Sequence, residues 1–152
     1  MPVATETETL PIAPQVIAAA RSWIGTPYRH QASLKLIGAD CLGLVRGIYR
    51  ELYCREPEPA PAYSADWAEA SAVETMAEAA RRHLLEIGLD DLAAGDVALF
   101  RWRDRCPAKH AAIMTSATTM VHAQRGSTVC EIDVTSWWRR RVAFAFRFPE
   151  RA

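Results

Sequence analysis

Neither sign of charge is in excess in this chain: 18 lysines and arginines stand against 18 aspartates and glutamates over 152 residues. A balanced field leaves no electrostatic footprint for nucleic acid and none for insertion into or adhesion on an anionic membrane. Long apolar runs are missing as well, and no stretch approaches the roughly 18 consecutive apolar residues of a membrane span. Met1 to Leu10 carries threonines and glutamates where a secretory signal has basic residues, so a protein made in the cytoplasm without a signal peptide is expected. Cysteine is scarce. Cys41, Cys54, Cys106 and Cys130 are widely spread in a chain long enough to fold without staples, and they read as reduced thiols. No internal repeat and no low-complexity tract stands out. What is present is apolar material, 50% of the residues, enough for one sizeable core in one domain.

The order of patterns along the chain points to an α+β domain. Met1 to Pro14 is polar and then proline-punctuated, which predicts an N-terminal arm ahead of a domain over residues 15–152. Gln15 to Ile24 has helical spacing with Val16, Ala19, Ala20 and Trp23 on one side, and Gly25 and Pro27 stop it. Gly25-Thr26-Pro27-Tyr28 is a turn presenting a phenol, and residues 29–39 read as irregular. Leu44, Val45, Ile48 and Leu52 then mark one face of a helix from Cys41 to about Tyr53. Glu56 to Pro61 is a proline-rich connector, and Trp67 to Ile87 reads as a helix ended by Gly88, the two forming a helical insertion at about 56–91. Short strands follow at Val97–Trp102, Ala111–Thr115, Met120–Ala123, Val129–Val134 and Val142–Phe148. Five strands after helices imply a mainly antiparallel sheet packed on the cysteine helix.

Chemistry concentrates at Asp40-Cys41 and at two histidines. Asp40 is a good N-cap, so Cys41 takes the first helical position, where the positive helix end favours thiolate. The adjacent carboxylate opposes this unless it turns into the backbone or toward a substrate cation, which leaves the net shift open. His110 opens one strand, and His122 lies in the next. A hairpin through residues 116–119 puts both on one face, since their separation of 12 is even. A cysteine at a helix start with two histidines on adjacent strands suits a nucleophile, a base and an orienter. Taken singly, each histidine is equally compatible with a satisfied sheet residue, and the cysteine with core packing. His30 and His83 read as structural or solvated, and the remaining thiols as packing groups. Trp137 to Arg141 reads as a turn whose tryptophans pack and whose arginines are solvated. A zinc site from Cys41, Cys106, His110 and His122 is a further arrangement to test, although Cys41 and His122 have no close second ligand in sequence.

Five segments, in order, resemble the NlpC-type (NlpC/P60 superfamily) cell-wall cysteine peptidases: Trp23 to Tyr28, Asp40 to Val45, Gly95 to Phe100, His110 to Ile113 and Val121 to Ala123. The resemblance covers most of residues 15–148 and is similar above all to the subgroup found in phage and gene-transfer-agent tails. It implies a papain-like fold with Cys41 as nucleophile, His110 as general base and His122 as the polar third member. It further implies Tyr28 as an oxyanion donor beside the Cys41 amide, and Asp40 as a carboxylate pairing with a cationic substrate group. The implied substrate is a peptidoglycan stem peptide, cut at the γ-D-glutamyl to meso-diaminopimelate bond through a thioester, with no cofactor and no metal. The implied partners are tail-tip or baseplate hub proteins of a phage-like particle that acts in the periplasm or cell wall. The alternative is a structural tail or baseplate module of the same fold with catalysis lost or secondary. Leu42 stands where the family often has serine, and His110-Ala111-Ala112 where it often has histidine-valine-glycine.

Overall fold

A computed structural model describes residues 10–58 and 74–151. Residues 1–9 of the expected arm and residues 67–73 of the expected long helix lie outside the described residues. The chain folds as α1 (Ile12–Ser22), a two-stranded hairpin of β1 (Ser33–Leu34) and β2 (Gly38–Ala39), α2 (Cys41–Tyr53), and α3 (Thr75–His83). Six strands and a short helix follow: β3 (Leu85–Ile87), β4 (Val97–Phe100), β5 (His110–Met114), β6 (Thr119–His122), β7 (Cys130–Asp133), α4 (Ser136–Arg139) and β8 (Val142–Arg147). The strands lie in the order β3-β8-β4-β5-β6-β7, and every pairing is antiparallel. The α+β architecture expected from the pattern is therefore the one observed, with the cysteine helix on the sheet.

Alternation along β4 and β5 decides which side chains meet which layer. Val97, Leu99, Ala111 and Ile113 join Leu44 and Ile48 of α2 and Val16 and Ala20 of α1 in one core. Ala98, Phe100, Ala112 and Met114 face the other way and join Met120, Val134 and Trp138 in a second. Two covered faces explain why β4 and β5 are buried at every position. Removing a fully buried aliphatic such as Ile48 from water contributes about 2 kcal/mol.

Two glycines let α2 sit where it does. A Cβ on Gly47 would come 2.1 Å from Cζ2 of Trp23, so only glycine allows α1 and α2 this close. A Cβ on Gly43 would lie 1.8 Å from the Ala32 carbonyl oxygen, so the loop before β1 is packed directly on the first turn of α2.

Three boundaries differ from the sequence expectation, each for a tertiary reason. Helix α1 starts at Ile12, three residues before Gln15, because the Glu150 carboxylate accepts from the Ile12 amide at 3.0 Å and ties the C-terminal residues to the helix start. The helix expected to reach Ile87 stops at His83, and Leu85–Ile87 becomes a sixth strand on the open edge of β8, where unpaired backbone groups capture it. Residues 29–39, expected to be irregular, contain the β1–β2 hairpin, with Gln31 and Leu36 at positive φ. No helix among the described residues is long and apolar enough to cross a membrane.

Candidate active site

The thiol is placed by its N-cap. Asp40 is 3% exposed, and both carboxylate oxygens accept from backbone: Oδ1 from Gly43 N at 2.7 Å and Oδ2 from Gln31 N at 2.7 Å. The carboxylate thus stitches the residue 29–32 loop to the first turn of α2. Both oxygens are thus turned toward backbone donors. The half-buried Cys41 thiol donates to the Lys109 carbonyl oxygen at 3.8 Å, and the Ala111 amide hydrogen-bonds back to it. The sulfur is therefore held against the backbone on both sides of His110.

Burial, and then the Asp40 charge, push the Cys41 thiol up to about 12, with the Ala111, Leu42 and Cys41 amides offsetting part of the rise. The helix end does not win here, since a buried thiolate loses more hydration than a few amides return.

The two histidines meet as strand parity requires. His122 pairs across from Ala112, so it shares a face with His110, and His110 Nε2 lies 3.0 Å from His122 Nδ1. The rings are perpendicular, at 87°. His110 is 5% exposed and His122 not at all. Burial and the neighbouring His122 lower His110 to about 3, and burial lowers His122 to about 4. At neutral pH both rings are uncharged and share one proton in their mutual bond. If His110 donates it from Nε2, its Nδ1 is left with a lone pair, and His122 must carry its own N–H on Nε2. That Nε2 is buried and finds no hydrogen-bond partner among the described residues.

Aromatic rings enclose the pair. Ring centroids of Trp102, Phe100 and Trp138 lie 5.2, 5.9 and 5.6 Å from that of His110, and Trp138 lies 5.4 Å from His122 at 88°. Sequence reasoning left Trp138 as a packing tryptophan in a turn, and no local signal ties it to His110, 28 residues away. Tyr28 is strapped in place by its backbone amide, which donates to the Ser127 carbonyl oxygen at 3.1 Å. Its phenol is raised by burial first and then by the charges of Cys41 and Asp40, with Arg125 opposing, which puts the hydroxyl in the field of the Cys41 sulfur.

The other candidates fall elsewhere. Cys41, Cys106, His110 and His122 do not assemble as a zinc site, and among the described residues no group of three or more potential ligands is brought together. Cys54 is exposed at the left-handed end of α2 and is not a packing thiol. His83 packs edge-on against Tyr49 and lies 3.5 Å from Glu58, and His30 is exposed. Cys130 stands directly opposite His122 on β7.

Comparison with known proteins bears on the family and the fold. The NlpC/P60 family matches residues 25–147. No curated protein sequence matches the chain. Among solved structures, the NlpC/p60 domain of the peptidoglycan hydrolase SagA is similar at 23% identity and a TM-score of 0.65, over 90% of this chain and 98% of that one. An NlpC/P60 family protein from Bacillus cereus is similar at 20% identity and 0.65, over 91% of this chain and 40% of that one. A lipoprotein-like NLP/P60 family protein from Staphylococcus aureus gives 20% and 0.62, over 96% and 44%. The chain thus spans the whole of the SagA domain and less than half of the two longer proteins.

Proposed function

The chain belongs to the NlpC/P60 family, and from that membership we propose that it is a cysteine-type peptidase acting on peptidoglycan stem peptides, with Cys41 as nucleophile and His110 as base. The observation that carries the reading is the 3.0 Å bond between His110 Nε2 and His122 Nδ1, beside a thiol held at the Lys109 carbonyl and the Ala111 amide. The fold it shares with the SagA peptidoglycan hydrolase domain supports the substrate class.

In the proposed reaction Cys41 Sγ attacks the scissile carbonyl carbon as the thiol proton passes to His110 Nδ1. A carbon–sulfur bond forms, and the carbonyl π pair moves onto oxygen, where the Cys41 amide and the Tyr28 hydroxyl donate to it. Collapse of this intermediate breaks the carbon–nitrogen bond. The leaving amine takes the proton from His110, and a thioester remains on Cys41. Water then gives a proton to His110, attacks the thioester and releases the carboxylic acid, and the proton returns to sulfur. Because burial opposes both a lone thiolate and a lone imidazolium, the first proton moves with bond formation rather than ahead of it.

The bond proposed from the resemblance is γ-D-glutamyl to meso-diaminopimelate. The proposed setting, from the same resemblance, is a phage-like tail tip or baseplate, with action in the periplasm or cell wall. The reaction is tested by incubating disaccharide-tetrapeptide with the protein and with Cys41→Ala, and reading products by mass spectrometry. Release of a diaminopimelyl dipeptide by the wild type alone is expected, and equal release by both proteins would remove Cys41 from the mechanism. The setting is tested by looking for the chain in purified tail fractions of the particle.

A further inference from the structure

We propose that Trp138 is a positioning residue that selects the tautomer of the histidine pair: it presents its ring face to His122 Nε2–H and keeps water from the bond between His110 and His122. The functional consequence rests on the peptidase reading above, whereas the tautomer itself does not.

The bond between the two rings can be made in two ways. Either His110 Nε2–H donates to His122 Nδ1, or His122 Nδ1–H donates to His110 Nε2. Only the first leaves the His110 Nδ1 lone pair for a thiol. In the first, the buried His122 Nε2 is an N–H donor, and in the second it is a bare lone pair. A π-face is electron-rich, so it accepts an N–H and repels a lone pair. Trp138 stands perpendicular to His122 at 88° with centroids 5.4 Å apart, a T-shaped geometry that accommodates an imidazole edge on an indole face.

The fold holds Trp138 firmly. It sits on α4 between β7 and β8, 9% exposed, with Phe100 packed on it at 5.1 Å. Arg139 N donates to Thr135 O at 2.9 Å, Arg141 N to Trp138 O at 2.9 Å, and Arg139 Nη2 to Ala117 O at 2.8 Å, so α4 is fastened across the β5–β6 turn. His110 is 5% exposed and His122 not at all, so the indole packs where the pair is already closed to bulk water. The other titratable groups around the pair are Cys41 and Asp40 from the start of α2, Lys109 ahead of His110, and Cys130 opposite His122.

The test uses the full chain labelled with ¹⁵N-histidine, as wild type, Trp138→Phe and Trp138→Leu. In the wild type, NMR should show His110 protonated at Nε2 and bare at Nδ1. Trp138→Phe keeps a π-face and should keep that tautomer. Trp138→Leu should give a mixture, with both histidines titrating closer to their ordinary range. On a muropeptide, kcat of Trp138→Leu should fall by roughly tenfold or more with KM little changed, as misplacement of a reacting group does, while Trp138→Phe stays near wild type. A wild-type His110 protonated at Nδ1, a Leu variant with unchanged tautomer and titration, or a Phe variant that behaves like Leu would each overturn the proposal. If the wild type cleaves no muropeptide, the peptidase reading falls, and the NMR spectra still decide the tautomer.

Discussion

At the scale of single residues, the resting site is a neutral one. A thiol raised to about 12 and imidazoles lowered to about 3 and 4 are all held uncharged at pH 7 by the same cause, loss of water. Reactivity toward a small electrophile that brings no oxyanion to stabilise should therefore be low. Burial thus decides a shift that the helix end and the adjacent Asp40 carboxylate leave open in the sequence. With iodoacetamide at pH 6 to 8, the exposed Cys54 should label faster than Cys41, and Cys41 labelling should keep rising above pH 9. Preferential Cys41 labelling at pH 6 would contradict a neutral site. In the proposed mechanism His110 moves the proton and His122 orients it, so their substitutions should differ in degree. His110→Ala should lower kcat by on the order of 100-fold or more, and His122→Ala by less, because the base remains in place. Steady-state rates on a muropeptide check the order, and a larger loss for His122→Ala would exchange the roles.

At the scale of elements, the site depends on how closely the residue 29–32 loop is packed on α2. Gly43→Ala places a methyl where the Ala32 carbonyl already is, so the loop, Asp40 and the cysteine must all shift. Urea unfolding should show a loss of roughly 1–3 kcal/mol, with a fall in rate beyond what the unfolded fraction explains. On the sheet, Arg147 donates from Nε and Nη2 to the two oxygens of the buried Asp96 at 2.9 Å each, and the Ala93 amide donates to Oδ2 at 2.9 Å. Asp96→Ala strands those donors at the start of β4 and should cost about 1–3 kcal/mol by the same measurement. Much of the candidate site was legible before any coordinates. The spacing of Leu44, Val45, Ile48 and Leu52 fixes the face of α2, a favourable cap fixes where it starts, and even parity puts His110 and His122 together. What was not legible is what tertiary contact decides. Nothing local makes Leu85–Ile87 a strand rather than the end of a helix, since only the free edge of β8 does so. Nor does local sequence turn both Asp40 oxygens inward, or bring Trp138 across from another layer onto His122.

At the scale of the whole molecule, burying these groups uncharged ties stability to pH in both directions. A histidine that folds with its pKa near 3, against about 6.5 unfolded, gives the unfolded chain the greater proton uptake between those values. Stability should therefore fall as pH drops from about 6.5. Cys41 acts at the other end. Its proton is lost near 9 in the unfolded chain and near 12 in the folded one, so stability should fall again as pH rises past 9. Thermal melting should show a plateau between about pH 6.5 and 9, and His110→Asn should flatten its acid side; an acid side unchanged by that substitution would assign the loss to other groups. The sheet carries a core on each face, with Cys41 packed on the α2 side and Trp138 on the opposite side. The proposed covalent step on Cys41 is tested most directly by acid-quenched intact-protein mass spectrometry with peptide mapping during muropeptide turnover. The expected result is an acyl group of the stem-peptide fragment on the peptide that contains Cys41. Acylation of Cys54, Cys106 or Cys130 instead, or turnover that persists in Cys41→Ala, would contradict it.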